Sequence, residues 1–193
     1  TVQRILFPKR QKKENKLLLL NEILGQYRGS ILLFVRTRRE AGRVAKELRQ
    51  KSFSVAEIHA DRSMSQRREA LTGFKMGKYR ILVATDIAAR GIDVTGIELV
   101  INYDIPEDPE SYVHRIGRTG RAGVEGHAIS FATPDQLSDI RRIEQILKTS
   151  IPVSTHPAIP KESFLPAFKK GRVKSFLPPG FRKSRFSQRR RIF

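Results

Sequence analysis

Between His114 and Arg121 the chain reads His-Arg-Ile-Gly-Arg-Thr-Gly-Arg, which sets Arg115, Arg118 and Arg121 three residues apart with Gly117 and Gly120 between them. Guanidinium groups are permanently charged forks that match phosphate oxygens, and glycine lets backbone bend close to a ligand. A basic helix end pairing with surface acids would also be rich in arginine. The regular spacing and the interleaved glycines argue for a phosphate instead. A second segment, Leu82 to Asp93, runs from an apolar strand into Thr85 and Asp86, turns, and leaves through Arg90 and Gly91 to Asp93. The Thr85 hydroxyl and Arg90 could hold a phosphate and Asp93 a ribose hydroxyl. The same residues equally suit a helix cap at Thr85 and Asp86 and a turn at Asp93.

Such groups need a frame, and the first 159 residues alternate between two periodicities. Apolar runs at Val2 to Phe7, Ile31 to Val35, Ser54 to Ile58, Arg80 to Ala84, Leu99 to Asn102 and His127 to Phe131 read as strands. Helical stretches separate them. Leu17, Leu20, Ile23 and Leu24 form an apolar stripe that Gly25 is expected to end. Thr37 with Glu40, and Ser63 with Gln66, have capping-box spacing, the second helix stopping at Gly77. Asp108 before Pro109 and Thr133 before Pro134 suit the starts of two more. Strands apolar on both faces, alternating with helices, predict an α/β fold: a mostly parallel sheet with helices on both faces. Ligands in such sheets lie at the carboxyl ends of the strands. The polar stretches Arg36 to Arg39, His59 to Gln66, Thr85 to Asp93 and Asp104 to Arg121 all fall there.

Charge narrows the partners. The 193 residues hold 38 Lys and Arg against 19 Asp and Glu, a net +19, and a field of that sign attracts nucleic acid before an anionic membrane or an acidic protein. Residues 160–193 carry 11 of the basic residues, one acid and six of the 11 Phe. With no period of either kind, 151–193 reads as a largely disordered basic tail. The absence of cysteine excludes a disulfide framework, a thiol nucleophile and a cysteine-ligated zinc, and fits a reducing compartment. No apolar run approaches the roughly 20 residues of a membrane span, and Thr1 is not followed by a signal-peptide pattern. The expectation is a soluble, cytoplasmic chain with no membrane partner and no metal ligands of its own. Thr1 is not an initiator methionine, which leaves a longer chain open.

These segments together resemble the C-terminal RecA-like domain of DEAD-box RNA helicases, over about residues 1–150. ILLFVRTRREA is similar to the family's motif IV, HADRSMSQRREAL to the stretch around motif IVa, ATDIAARGID to motif V and HRIGRTGR to motif VI. The resemblance implies a RecA-like fold over 17–150, preceded by a post-linker strand and approach at 1–16. It implies that Arg118 and Arg121 are arginine fingers to the γ-phosphate of ATP, that Asp93 contacts the ribose and that His114 couples two domains. It also places Thr37, Arg67, Thr85, Arg90 and Gly91 at an RNA groove that holds the sugar-phosphate backbone without sequence preference.

Three positions depart from the family pattern. Met64 stands where the QxxR motif has its glutamine, with Gln66 two residues away; Ala60 replaces the usual glycine; Arg36 precedes Thr37. Either the polar contact of that glutamine is lost or Gln66 supplies it. The chain also lacks a GxxxxGK[ST] phosphate cradle and an acidic DEAD tetrapeptide. By the resemblance, an N-terminal RecA-like domain supplies both and holds most of the Mg²⁺ coordination of ATP. The chain is therefore expected to be one half of an ATP-dependent RNA helicase and inactive alone. A non-catalytic RNA-binding module from a truncated helicase is the alternative, and a ribosome-associated structural protein a third. In the tail, Phe interleaved with Arg and Lys suits stacking on bases as well as it suits a solvated segment.

Overall fold

The computed structural model of the chain describes residues 1–6, 13–89, 92, 94, 96–120 and 126–154. Each of the six apolar runs contains a strand: β1 (Val2–Leu6), β2 (Ile31–Phe34), β3 (Val55–Ile58), β4 (Ile81–Ala84), β5 (Leu99–Asn102) and β6 (His127–Phe131). A seventh, β7 (Val153–Ser154), pairs with β1. The strands form one sheet in the order β3-β4-β2-β5-β6-β1-β7, and every pairing is parallel. Val2–Leu6 and Val153–Ser154, on either side of the 17–150 span, both belong to it.

Helices α1 (Lys13–Gln26) and α2 (Arg38–Gln50) cover one face, where Leu20, Ile23, Val44 and Leu48 pack on Ile31 and Leu33 of β2 and their neighbours Ile81, Val83, Leu99 and Ile101. Helix α3 (Met64–Lys75) and the one-turn α4 (Asp86–Ala89) cover the opposite face through Ala70, Phe74, Ala88 and Ala89, against Leu32, Phe34, Leu82 and Val100. Helices α5 (Pro109–Ile116) and α6 (Leu137–Leu147) complete it, with Tyr112, Ile116, Ile140 and Ile143 packed on Ile5 and Ala128. All four residues of β2 are buried, and each side chain of this kind contributes about 1.5–3 kcal/mol when withdrawn from water.

With both faces apolar, alternation cannot set the register. In β5 and β6 a buried polar pair supplies it. Asn102 and Ser130 are register partners with no exposure, and Asn102 Nδ2 donates to Ser130 Oγ at 3.0 Å. From there Ser130 Oγ reaches the Tyr112 hydroxyl at 3.3 Å, which donates to Gln3 Oε1 at 3.4 Å. A one-residue slip would leave these groups buried and unpaired, at about 1–3 kcal/mol each.

Helix starts follow the predicted caps. Ser63 and Gln66 form a reciprocal capping box, Thr37 Oγ1 accepts from the Glu40 N–H, and Asp108 accepts from Glu110 and Ser111 ahead of Pro109. Two ends differ from expectation. α1 runs through Gly25 to Gln26, because nothing forces Gly25 into a left-handed conformation. Pro134 opens a 3₁₀ turn, Pro134–Gln136, rather than α6 itself, since the Gln136 side chain folds back to accept from the Thr133 backbone N–H. Gly77, at φ +75°, ends α3 as predicted.

Candidate functional site

The strand order reverses around β2: the chain leaves β4 on one side of it and enters β5 on the other. The carboxyl ends of β4, β2 and β5 therefore frame a crevice of the kind in which α/β sheets hold ligands. A cleft of about 390 Å³ opens there, lined by Phe34, Asp86, Asp108, His114, Arg115 and Arg118.

Arg115 and Arg118, three residues apart, do different things in it. Arg115 is 3 % exposed. Its Nε and Nη2 each donate at 2.6 Å to the two oxygens of Asp86, while Nη1 donates to Asn102 Oδ1 at 3.1 Å and to the Asp104 carbonyl at 2.8 Å. The guanidinium lies 5.0 Å from the centre of the Phe34 ring beneath it. Such a bidentate, fully satisfied pair is the geometry in which a buried ion pair holds its partners rigidly. It ties α4 to α5 across the end of β2. Arg118, beyond the end of α5 at Gly117, is half-buried, and among the described residues it donates from Nη1 to the Ile92 carbonyl at 2.7 Å. His114 is exposed on the last turn of α5. Thr119 is buried, its hydroxyl donating to the Ile97 carbonyl, and Gly120 follows at φ +67°. Of the two glycines, Gly120 supplies the left-handed bend; Gly117 has φ −67° and caps α5.

The spacing grouped Arg115 with Arg118 and Arg121 as a phosphate ligand, but the structure turns it inward to hold Asp86 and Asn102. Pro109, Tyr112, Arg115 and Ile116 make the buried face of α5, so helical spacing from Tyr112 already put Arg115 inward.

Three predicted groups sit on the neighbouring half of the crevice. Thr37 follows β2 as the cap of α2, Thr85 follows β4, and Arg67 lies on the first turn of α3 after β3. β3, β4 and β2 are consecutive in the sheet, so these groups share one stretch of its rim. Met64 is 73 % exposed, and its sulfur stands 3.8 Å from Arg67 Nη1. Gln66 Oε1 accepts from the Ser63 backbone N–H at 3.0 Å, so its side chain is turned back into the cap. Arg90, Gly91, Asp93, Arg121 and residues 155–193 lie outside the described residues, as does Phe7.

On the α1/α2 side of the crevice, Asp104 is held between Lys16, whose Nζ donates at 2.7 Å, and the Arg36 backbone N–H at 3.2 Å. Burial alone would push the Asp104 carboxyl up, but Lys16 holds it below the usual range. Burial and the facing Asp104 raise Glu40, and burial pushes the Tyr103 phenol up to about 12. Arg36 reaches the same loop through the Ile105 carbonyl at 3.1 Å and Glu107 at 3.4 Å. Helix α1, the start of α2 and the loop entering α5 are thus tied together by charge.

Comparison with known proteins agrees with this frame. Residues 15–123 match the family described as "Helicase conserved C-terminal domain". The DEAD-box ATP-dependent RNA helicase CshA of Bacillus subtilis is 45% identical over 128 residues, 66% of this chain and 26% of that protein. The ATP-dependent rRNA helicase RRP3 of Kluyveromyces lactis is 46% identical over 134 residues, 69% of this chain and 27% of that one. Among solved structures, the E. coli DEAD-box protein SrmB, bound to the regulator of ribonuclease activity A, superposes with a TM-score of 0.76 at 31% identity, covering 83% of this chain and 94% of that one. The chain belongs to the helicase C-terminal domain family, in its DEAD-box branch, and has that domain's RecA-like fold. It spans only about a quarter of the length of these two curated relatives.

Proposed function

We propose that this chain is the catalytic-competence half of an ATP-dependent RNA helicase, acting only when an N-terminal RecA-like domain closes on it. One observation carries the reading. Within a single arginine repeat, Arg115 is consumed by Asp86 and Asn102, whereas Arg118, which among the described residues meets only the Ile92 carbonyl, shares an open cleft with exposed His114. An arginine held at a rim with spare donors suits a phosphate arriving from outside.

ATP supplies the phosphoryl group when bound; the residues of this chain bind and orient. Arg118 and Arg121 place positive charge where it develops on the γ-phosphate, His114 senses domain closure, and Asp93 accepts the ribose hydroxyl. Mg²⁺ is left mainly to the partner domain. The fit to a nucleotide rests on the donors at one end of the cleft, Arg118 and His114. Thr37, Arg67, Thr85, Arg90 and Gly91 hold RNA by its sugar-phosphate backbone, which carries no base information. With Gln66 engaged in its cap, the Met64 position offers RNA no amide, and Arg67 stands without that neighbour. The basic, Phe-rich residues 160–193 add sequence-tolerant affinity through stacking and phosphate contacts.

The test is ATP turnover. Purified residues 1–193 should hydrolyse ATP negligibly with or without RNA, and a complete two-domain protein should do so in an RNA-dependent way. Robust RNA-stimulated turnover by the 193 residues alone would overturn the half-site reading. Removing residues 160–193 should flatten the slope of log affinity against log salt for RNA; an unchanged slope would remove the tail from the binding surface.

A further inference from the structure

A buried carboxylate with no part in the roles above sits at the base of α3. Glu57, in the edge strand β3, has its side chain 4 % exposed. A charge withdrawn from water to that extent must be compensated. Oε1 accepts from Arg62 Nη2 and from Arg49 Nη2, the latter at 3.4 Å, and Oε2 faces His59 Nε2 at 3.6 Å. His59 Nδ1 accepts the Asp61 backbone N–H at 3.3 Å, so Nε2 is the ring nitrogen beside Glu57. Asp61 in turn binds Arg38 at 2.7 Å, at the first residue of α2.

The arrangement has a direction. Arg62 immediately precedes Ser63, whose hydroxyl and backbone close the capping box of α3, and Arg67 is on the turn that this cap begins. Among the described residues β3 has a neighbouring strand on one side only, and no described strand steadies the turn that leaves it. If stability were the whole purpose, an apolar side chain would serve as well, because buried ion pairs are commonly no better than apolar packing of equal volume. A carboxylate instead fixes a particular guanidinium, and with it the point at which the helix starts.

We propose that Glu57 is a positioning residue for RNA binding: through Arg62 and His59 it holds the 59–63 turn and so sets the first turn of α3 and the aim of Arg67. The proposal rests on the assignment of Arg67 to RNA. The experiment uses the 193-residue chain and a short fluorescent single-stranded RNA, comparing Glu57→Gln, Arg62→Ala, Arg67→Ala and the Glu57→Gln/Arg67→Ala double variant. Glu57→Gln and Arg62→Ala should each weaken binding about fivefold, and the double variant should bind no worse than Arg67→Ala, because coupled residues are non-additive. Amide exchange across 59–67 should quicken in Glu57→Gln while the melting temperature hardly moves, since Arg49 and Arg62 can both turn to water. Should Glu57→Gln fold poorly, Arg62→Ala carries the test, its side chain being 35 % exposed. Full affinity in Glu57→Gln and Arg62→Ala beside a weakened Arg67→Ala would overturn the proposal alone, as would additive losses in the double variant. Full affinity in Arg67→Ala would overturn the assignment beneath it.

Discussion

The crevice is flanked by two buried ion pairs of opposite polarity. Between α4 and α5 the buried charge is the cation: Arg115 is 3 % exposed and its partner Asp86 is 37 % exposed. At the turn after β3 the buried charge is the anion, Glu57 at 4 %, with Arg49 and Arg62 at 44 % and 35 %. Stranding a buried charge is far costlier than stranding one that water can reach. The two regions should therefore respond oppositely to loss of their acid. The first is a strut whose loss of its carboxylate should weaken the fold markedly; the second is a latch that can be released at little cost to the fold. Under the function proposed above, the strut lies on the nucleotide side and the latch on the side that would grip RNA.

The sharpest way to break the comparison is at the tip of the strut. Arg118→Ala in a complete two-domain protein should lower ATP turnover by about 10³-fold or more, while losing the bond to the Ile92 carbonyl should cost the fold no more than about 1 kcal/mol. Steady-state turnover and urea unfolding, run on one preparation, would show both. Next comes Asp86→Ala, which leaves the Arg115 guanidinium buried beside Phe34 without its carboxylate. Unfolding should become easier by about 3 kcal/mol, several times the effect of Glu57→Gln; equal losses would erase the distinction between strut and latch. Arg115→Met ranks lower, at about 2 kcal/mol, because Asp86 is left where water can reach it and the apolar replacement packs on Phe34, so the loss is that of Asn102 Oδ1 left buried without its donor. A loss matching that of Asp86→Ala would place the cost in the missing guanidinium rather than in its stranding.

The smallest effect tests the cap that starts α5. Asp108 is held below the usual carboxyl range by the Ser111 hydroxyl and by the backbone N–H groups of Ser111 and Glu110. Its folded value lies under its unfolded one, so its contribution is complete above about pH 4 and is lost as pH falls through the folded value. Asp108→Asn keeps a capping oxygen but removes the titration. Melting curves from about pH 6 to pH 3 should converge on the acid side, wild type losing a small advantage that the variant never had. Asp104 titrates alike in both proteins and cancels.

Much of this was legible in the residues. Apolar runs located six strands, and capping pairs located the starts of α2, α3 and α5. β7 was not, because Val153 and Ser154 are too few to show a period. α4, at a single turn, was legible only as one of two readings, the cap at Thr85 and Asp86. The lateral order of the strands is a matter of tertiary pairing that no local pattern records. At the site, the even spacing of Arg115, Arg118 and Arg121 made them look interchangeable. A helix end intervenes: Arg115 still lies on the buried face set by Tyr112 and Ile116, and Arg118 falls beyond Gly117, where that face no longer exists. Glu57 was invisible because a glutamate in an apolar run reads as an exposed position, and its compensation comes from residues 8 away on one side and five on the other.

The place of β1 also bears on how the domain is made. Val2–Leu6 is bonded on one flank to β6 and on the other to β7, so the first strand of this sheet to be made pairs with the last two. Closing so long a loop is slow, and a nascent chain arrested before His127 would hold β5 with a bare apolar edge next to the half-built crevice. Such an edge invites pairing with other chains. Pausing during synthesis between β5 and β6 should therefore be the most aggregation-prone moment in the life of this domain, and chaperone capture of arrested chains should peak there and fall once Ser154 has cleared the exit tunnel.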